Sequence, residues 1–122
     1  MIALDAGFLI ELERRSPAAQ DILDVAVEDE LDILVSAMVL AEVWREPPAV
    51  LIAGVLLGCR IEPIDAALAR AAGTAAGATG AAAPDAIIAA GAARAGAALV
   101  TTDPDDMQRL AEHFDGLRIV SI

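Results

Sequence analysis

The sequence predicts an α/β protein, a three-layer α/β/α sandwich whose mostly parallel central sheet has roughly five strands. Short apolar runs alternate with longer helical segments along the whole chain, which favours parallel strands joined by helices. Hydrophobic residues make up 57% of the 122 positions and aromatic residues only 2%, so the core is built from Ala, Leu, Ile and Val. Such residues are typical of a buried parallel sheet. Since no repeat or linker interrupts the pattern, we expect one domain over residues 1–122.

The first half of the chain predicts two strands and four helices. Each helix has a recognisable start or stop, because Ser before an apolar segment favours an N-cap and Pro prevents continuation of a preceding helix. The predicted elements are a strand at Met1–Leu4, a helix at Phe8–Arg15 stopped by Ser16-Pro17, a helix from there to Val27, a strand at Ile33–Ser36, a helix at Ala37–Glu46 stopped by Pro47-Pro48, and an apolar helix to about Gly58.

The second half predicts three further strands with helices between them. The segment from Gly73 to Ala83 is rich in Gly, Ala and Thr, and its middle is expected to be a mobile loop. The predicted elements are a strand at Arg60–Ile64, a helix capped by Asp65 and ending near Gly77, a helix from Pro84-Asp85 to Ala95 stopped by Gly96, a strand at Ala97–Thr101, a helix from Pro104 to Phe114, and a strand at Arg118–Ser121.

The charge balance limits the partners that the chain can attract. It has no lysine, and eight arginines face nineteen acidic residues, for a net charge of −11. A surface this acidic has no broad basic area for capturing nucleic acid, and it attracts cationic partners instead. Any RNA contact must therefore rest on bound metal or on a few arginines, for which the candidates are Arg14, Arg15, Arg45 and Arg94.

Nothing in the sequence predicts export or membrane insertion. Asp5 and Glu11 interrupt the first apolar run, where a signal peptide needs a continuous apolar stretch. The apolar segment Ala49–Leu57 is far shorter than the ~20 residues that span a bilayer. The single Cys59 excludes an internal disulfide and is more typical of a core residue than of a nucleophile. We therefore expect a cytoplasmic protein.

Four acidic residues stand at positions that predict a shared site. They are Asp5, Glu42, Asp85 and Asp103, and three of them flank strand or helix ends that meet at one edge of the predicted sheet. In open α/β sheets, ligands collect beyond the carboxyl ends of the strands. A buried strand has no structural need for the carboxylate of Asp5 at its tip, and Glu42 interrupts a largely apolar helix at a cost in free energy.

Purely structural roles are open for two of these residues. Asp103 is suited to be the N-cap of the following helix, with Asp106 as the reciprocal acid of a capping box. Asp85 is suited to the positive end of its own helix dipole. The sequence alone does not decide between these roles and a shared site.

Converging carboxylates would predict a divalent metal site. Ligands that are all oxygen suit Mg²⁺ or Mn²⁺, and no set of His and Cys residues suits zinc, since the lone His113 lies on a helix facing away from the cluster. A metal held there would activate water against a phosphodiester. The residues by themselves thus indicate an acidic metal site on an α/β domain.

Four segments, in order and at matching spacing over nearly the full length, resemble the motifs of PIN-domain ribonucleases. The size resembles that of the VapC-type toxins of bacterial toxin–antitoxin pairs within that family. The four segments are Met1–Ile10, Ser36–Arg45, Pro84–Ala90 and Val100–Asp106.

The resemblance implies a PIN-like fold and a specific set of functional residues. It implies that Asp5, Glu42, Asp85 and Asp103 hold Mg²⁺ or Mn²⁺, with Asp106 as a fifth acid and Thr101 or Thr102 orienting the ligands. It also implies an RNA endonuclease that forms a homodimer, acts as a toxin, and is inhibited by a cognate antitoxin whose basic C-terminal segment lies along the acidic groove.

Alternative classes fit less well. Receiver domains and haloacid-dehalogenase-type phosphatases require a lysine, which this chain lacks, and Gly73, Gly77 and Gly80 do not have the spacing of a phosphate-binding loop. The serious alternative is a PIN-like module that binds RNA or a basic partner protein without catalysis.

Overall fold

A computed structural model describes all 122 residues, Met1–Ile122, as five strands and seven helices. Strands and helices alternate as predicted, and the sheet with its covering helices forms an α/β/α sandwich. In chain order the elements are β1 (Ile2–Leu4), α1 (Ala6–Glu13), α2 (Pro17–Glu28), β2 (Ile33–Ser36), α3 (Ala37–Val43), α4 (Val50–Leu57), β3 (Arg60–Glu62), α5 (Ala66–Thr79), α6 (Ala83–Ala95), β4 (Ala98–Thr101), α7 (Pro104–His113) and β5 (Ile119–Ser121).

The sheet is entirely parallel, with the strand order β3-β2-β1-β4-β5. The central strand β1 pairs with β2 on one side and β4 on the other, and Leu4 lies opposite both Val35 and Val100. The chain therefore builds outward from β1 to β3, returns to the centre and builds outward again through β4 to β5. Such a reversal creates a crevice beyond the carboxyl ends of the two central strands, where ligands of open α/β sheets bind.

One hydrophobic core holds the layers together. It contains 28 buried residues, most of them Ala, Leu, Ile and Val, with Phe8 as the only fully buried aromatic side chain. The helix α1 packs against α2, α3 and α4, whereas α6 packs against α3, α5 and α7. The aliphatic core that the composition predicts is confirmed.

The helix α4 is apolar along its whole length but is only partly covered. Ile52 and Leu56 are buried, while Val50 is 90% exposed and Leu57 is 89% exposed. None of the seven helices has both the length and the apolar character needed to cross a bilayer. An uncovered apolar face of this kind is typical of a protein interface.

Several predicted boundaries were wrong, among them those of α5, α3 and β3. The region Gly73–Ala83, expected to contain a mobile loop, is mostly helical: α5 runs to Thr79, and only residues 80–82 separate it from α6. Its many alanines favour helix, and Gly80 ends α5 with a φ of 76° that suits glycine. The helix α3 ends at Val43 rather than Glu46, because the backbone of Trp44 is already extended. The strand β3 ends at Glu62 rather than Ile64.

Candidate active site

A row of polar residues marks the carboxyl edge of the sheet. Leu4 pairs with Val35 and Val100, so the next residues of the three central strands reach the same level, and these are Asp5, Ser36 and Thr101. They are the only buried polar residues of the protein. Because buried polar groups require partners, this row marks the boundary between the apolar core and the candidate site.

Asp5 and Thr101 form the centre of that row. The Thr101 hydroxyl donates a hydrogen bond of 2.5 Å to Oδ2 of Asp5, and Thr101 Oγ1 accepts one of 2.9 Å from the backbone N–H of Asp103. Thr101 is fully buried and Asp5 is 6% exposed. The chain Asp5–Thr101–Asp103 therefore fixes the end of β1 against the entrance of α7.

Asp5 also has a structural role that the sequence analysis did not predict. Its Oδ1 accepts a hydrogen bond of 2.7 Å from the N–H of Phe8, which makes Asp5 the N-cap of α1. The expectation that a carboxylate at this strand tip has no structural use was wrong, because α1 begins at Ala6, directly after the strand, instead of near Phe8. Asp5 serves the fold whether or not it also serves a ligand.

Glu42 lies on α3 and faces the same edge of the sheet. Burial raises the pKa of Glu42, and the negative charges of Asp85 and Asp5 raise it further. This burial is only partial, because Glu42 is on the exposed side of the short helix α3, in which only Val39 is fully buried. The helix is largely apolar, as predicted, but Glu42 is on its exposed side, so the expected cost in free energy does not arise. The negative charges of Asp85 and Asp5 act on Glu42.

Asp85, in the first turn of α6, is the electrostatic centre of the cluster. Desolvation by its surroundings raises the pKa of Asp85, and the charges of Asp106, Asp103 and Asp5 raise it further. Asp85 also raises the pKa of Glu42. The charge of Asp85 thus interacts with those of Asp5, Glu42, Asp103 and Asp106.

Asp103 stands at the N-cap position of α7, but its side chain makes no capping hydrogen bond. Instead, a hydrogen bond shared with the Asp106 carboxyl raises the pKa of Asp103, and desolvation and the neighbouring charges add to the effect. Asp106 in turn accepts a hydrogen bond of 3.0 Å from Arg109. Asp103 is therefore the N-cap residue of α7, as predicted, but its carboxylate interacts with that of Asp106 instead of making a capping hydrogen bond.

The donor set fits a divalent cation in its chemistry but not as a closed cage. No three His, Cys, Asp or Glu side chains are arranged, as they stand, to hold one metal ion. Mg²⁺ is commonly bound by one or two carboxylates and keeps several of its waters, so a closed cage is not required. Desolvation raises the pKa values of Glu42 and Asp85, the hydrogen bond with Asp106 raises that of Asp103, and repulsion between the carboxylates raises all three further. A cation would relieve this repulsion.

The arginines named as candidate RNA contacts differ in how they are engaged. Arg94 donates hydrogen bonds to Glu62 and Asp65 that span 2.6 to 3.0 Å, so it ties α6 to the end of β3. Arg14 pairs loosely with Glu11 at 3.6 Å. Arg15 and Arg45 make no ion pair and are exposed. Arg94 is therefore a structural residue, and the remaining three stay candidates.

Comparison with known proteins identifies the family. Fold and site together define an α/β domain with a carboxylate cluster at the topological switch point of a parallel sheet. The model of the PIN domain family matches residues 2–113, so the chain belongs to the PIN domain family. No curated protein sequence matches this chain.

Solved structures of similar fold come from toxin–antitoxin complexes. A chain of the VapBC2 complex from Rickettsia felis, bound to a promoter DNA fragment, aligns with a TM-score of 0.79 at 20% identity, covering 100% of this chain and 99% of that one. A toxin–antitoxin complex from Klebsiella pneumoniae aligns with a TM-score of 0.79 at 20% identity, covering 99% and 97%. FitAcB from Neisseria gonorrhoeae aligns with a TM-score of 0.72 at 22% identity, covering 99% and 97%.

Proposed function

We propose that this protein is a VapC-type toxin, a metal-dependent RNA endonuclease whose active site is the carboxylate cluster of Asp5, Glu42, Asp85 and Asp103. The observation that supports the proposal is the mutual repulsion between Asp85 and the carboxylates of Asp5, Glu42 and Asp103, beyond the carboxyl ends of the central strands. Carboxylates held together against their own repulsion are typical of sites that bind a cation or perform acid–base chemistry.

Each carboxylate has its own part in the proposed site. Asp5 is held by Phe8 N–H and the Thr101 hydroxyl, so it is the rigid ligand against which the others are placed. Asp85, whose charge interacts with those of Asp5 and Asp103, would hold the cation together with them. The more exposed Glu42 orients the attacking water or completes the ligand set. Asp106 accepts a hydrogen bond from Arg109 and helps to position the carboxylate of Asp103.

A bound Mg²⁺ or Mn²⁺ would supply an activated water and would neutralise charge on the phosphate that is cleaved. The polar row and the apolar core beneath it keep Asp5 in one rotamer while a substrate enters from the open side. Direct attack by water leaves a 5′-phosphate and a 3′-hydroxyl. A 2′,3′-cyclic phosphate at the cut ends would contradict this mechanism.

An antitoxin with a basic segment is the proposed protein partner. The net charge of −11 favours a cationic partner, and the carboxylate cluster is where its positive charges would be received. The Klebsiella pneumoniae structure of similar fold is described as a toxin–antitoxin complex, which supports the same assignment here. The apolar groove between α2 and α4, lined by Leu23, Val27, Val50 and Leu51, offers the partner a hydrophobic contact.

We also propose that the protein acts as a homodimer in the cytoplasm. Trp44 is 39% exposed and lines an apolar hollow on α3 together with Ala37, Leu40 and Ala41. Association of two copies through this surface would remove the indole from water. Light scattering should give twice the chain mass of 12.5 kDa, and Trp44→Glu should give the single mass.

A non-catalytic PIN-like module that binds RNA or a basic partner is the second candidate. It is favoured by the absence of three carboxylates placed together to hold one ion. This candidate predicts that neutralising Asp5 or Asp85 changes the binding of a partner. Any RNA cleavage would not depend on either residue.

Expression in a bacterial host tests the toxin assignment. Induction of the wild-type chain should arrest growth and shorten cellular RNA, and Asp5→Asn or Asp85→Asn should abolish both effects. Asp65→Asn is a matched control, because Asp65 caps α5 through Leu68 N–H at 2.8 Å much as Asp5 caps α1. If Asp85→Asn arrests growth as strongly as the wild type, the assignment is wrong.

A further inference from the structure

Gly7 and Thr102 are in contact where the first turn of α1 meets the entrance of α7. A methyl group at Gly7 would overlap Oγ1 of Thr102 and would lie 3.3 Å from Thr102 Cβ and 3.5 Å from Asp5 Oδ1. Rotation of the Thr102 side chain would move the hydroxyl away but not Cβ. Even with the hydroxyl rotated away, a side chain at residue 7 would press on Cβ of Thr102 and would shift it by a few tenths of an ångström relative to α1.

No other property of Gly7 explains a glycine at this position. Gly7 is absent from the glycines with positive φ, which are Gly80, Gly96 and Gly116, so its backbone conformation is open to any residue. Glycine is also unfavourable inside a helix, and Gly7 is the second residue of α1. The glycines inside α4 and α5, in contrast, have no atom near the position of a Cβ.

The contact lies at the point that decides the geometry of the site. Thr102 follows Thr101, whose hydroxyl binds Asp5, and precedes Asp103, whose N–H binds Thr101 Oγ1. Any displacement of Thr102 therefore moves Thr101 or Asp103 relative to Asp5.

We propose that Gly7 is a positioning residue of the acidic site, acting through Thr102: by leaving space for the Thr102 side chain, it sets the separation of Asp5 and Asp103. The consequence for metal binding rests on the proposed function, whereas the packing relationship does not. Thr102 is in this account a packing partner and not a ligand. A change at residue 7 should therefore be compensated by removing the Thr102 hydroxyl and methyl.

The test compares Gly7→Ala, Thr102→Ala and the double variant with the wild type. Gly73→Ala is the matched control, because it also replaces a helical glycine by the better helix former but meets no neighbouring atom. Amide NMR shifts of Phe8 and Asp103 in the metal-free protein report the site geometry. Calorimetry with Mn²⁺ reports its ability to bind a cation.

Gly7→Ala should shift the Asp103 amide signal and weaken Mn²⁺ binding about tenfold, the lower end of losses seen when the groups that orient metal ligands are changed. The thermal midpoint should not fall, since alanine favours α1. Gly73→Ala should keep wild-type affinity, and the double variant should bind Mn²⁺ as tightly as Thr102→Ala and more tightly than Gly7→Ala.

Two results would overturn the inference: unchanged amide shifts in Gly7→Ala, or a double variant as impaired as Gly7→Ala alone. If Thr102→Ala loses as much Mn²⁺ affinity as Gly7→Ala does, Thr102 is a ligand, and the inference is overturned in that case too. A wild type that binds no Mn²⁺ would instead refute the proposed function, and the amide shifts would still decide on the packing relationship.

Discussion

The hydroxyl of Thr101 binds Oδ2 of Asp5 at 2.5 Å, although 96 residues separate the two in the chain. The bond joins the ends of the neighbouring strands β1 and β4, at the point where the order of strand addition reverses. It leaves Asp5 with one oxygen capping α1 and the other held by β4. The rigidity of Asp5 therefore depends on a buried hydroxyl rather than on a charged partner.

Replacing Thr101 by valine should destabilise the protein and loosen the site. Valine keeps the shape but leaves a buried carboxylate oxygen unpaired, for which we expect a loss of about 1–3 kcal/mol in the free energy of unfolding. Urea denaturation of the metal-free protein measures this loss. Thr101→Ser keeps the hydroxyl and should retain most of the stability, so equal losses in both variants would contradict the role given to the hydrogen bond.

Neutralising Asp85 should stabilise the metal-free protein at neutral pH. The folded-state pKa of Asp85 is raised above 3.8, so the folded protein holds this proton more tightly than the unfolded chain does. Stability from this group is thus present below the unfolded pKa and is lost as the pH rises through the folded pKa. In EDTA, Asp85→Asn should have the higher thermal midpoint near neutrality, and the difference should shrink toward about pH 4. A lower thermal midpoint of Asp85→Asn than of the wild type near neutrality would contradict the raised pKa of Asp85.

Divalent metal should reverse that ranking. Binding stabilises the folded protein by about 2.7 kcal/mol when free metal is 100 times the dissociation constant. Mn²⁺ should therefore raise the thermal midpoint of the wild type, and less so in acid, because protons compete for the carboxylates. Asp85→Asn should lose most of the increase, and Asp65→Asn should keep it. An equal increase in all three proteins would place the metal elsewhere.

Removing Arg94 should weaken the fold but not the site. Its guanidinium forms a fork with Glu62, whose side chain is only 13% exposed, and with Asp65. The Leu68 N–H and Arg94 hold the pKa of Asp65 below its usual value, so their contribution to stability is lost as the pH falls through that lowered pKa.

Arg94→Ala should lower the urea midpoint, and Arg94→Lys should lower it less, since lysine keeps the charge but not the two-pronged geometry. Mn²⁺ affinity should be unchanged in both variants. Should RNA binding fall while the urea midpoint stays at the wild-type value, Arg94 would be an RNA contact after all.

Much of the fold could be predicted because its signals are local. Alternating apolar runs located all five strands, and Ser16, Asp65 and Gly96 marked helix ends as predicted. The strand order could not be read from these signals, because every strand is a short apolar run and pairing depends on the packing of the whole core. The prediction ended α5 too early, because it gave more weight to the glycines of this segment than to the helix propensity of its alanines.

The membership of the site stays a prediction, and the structure adds contacts around it that the sequence did not indicate. Strand ends at one edge indicated that Asp5 and Asp103 would meet, and the electrostatic coupling around Asp85 agrees with the four predicted residues converging. The capping role of Asp5 was missed because the start of α1 was placed too late. The contact between Gly7 and Thr102 was also missed, since it joins residues far apart in the chain.

The most direct measurement is RNA cleavage by the purified chain, free of any partner, in Mg²⁺, in Mn²⁺ and in EDTA, beside Asp5→Asn, Asp85→Asn and Asp65→Asn. A mixed RNA pool serves as substrate, and circular dichroism confirms that each variant is folded. The account predicts cleavage that requires metal, persists in Asp65→Asn and vanishes in the other two variants, with 5′-phosphate ends. Cleavage that survives in folded Asp5→Asn or Asp85→Asn, or that proceeds in EDTA, would contradict it.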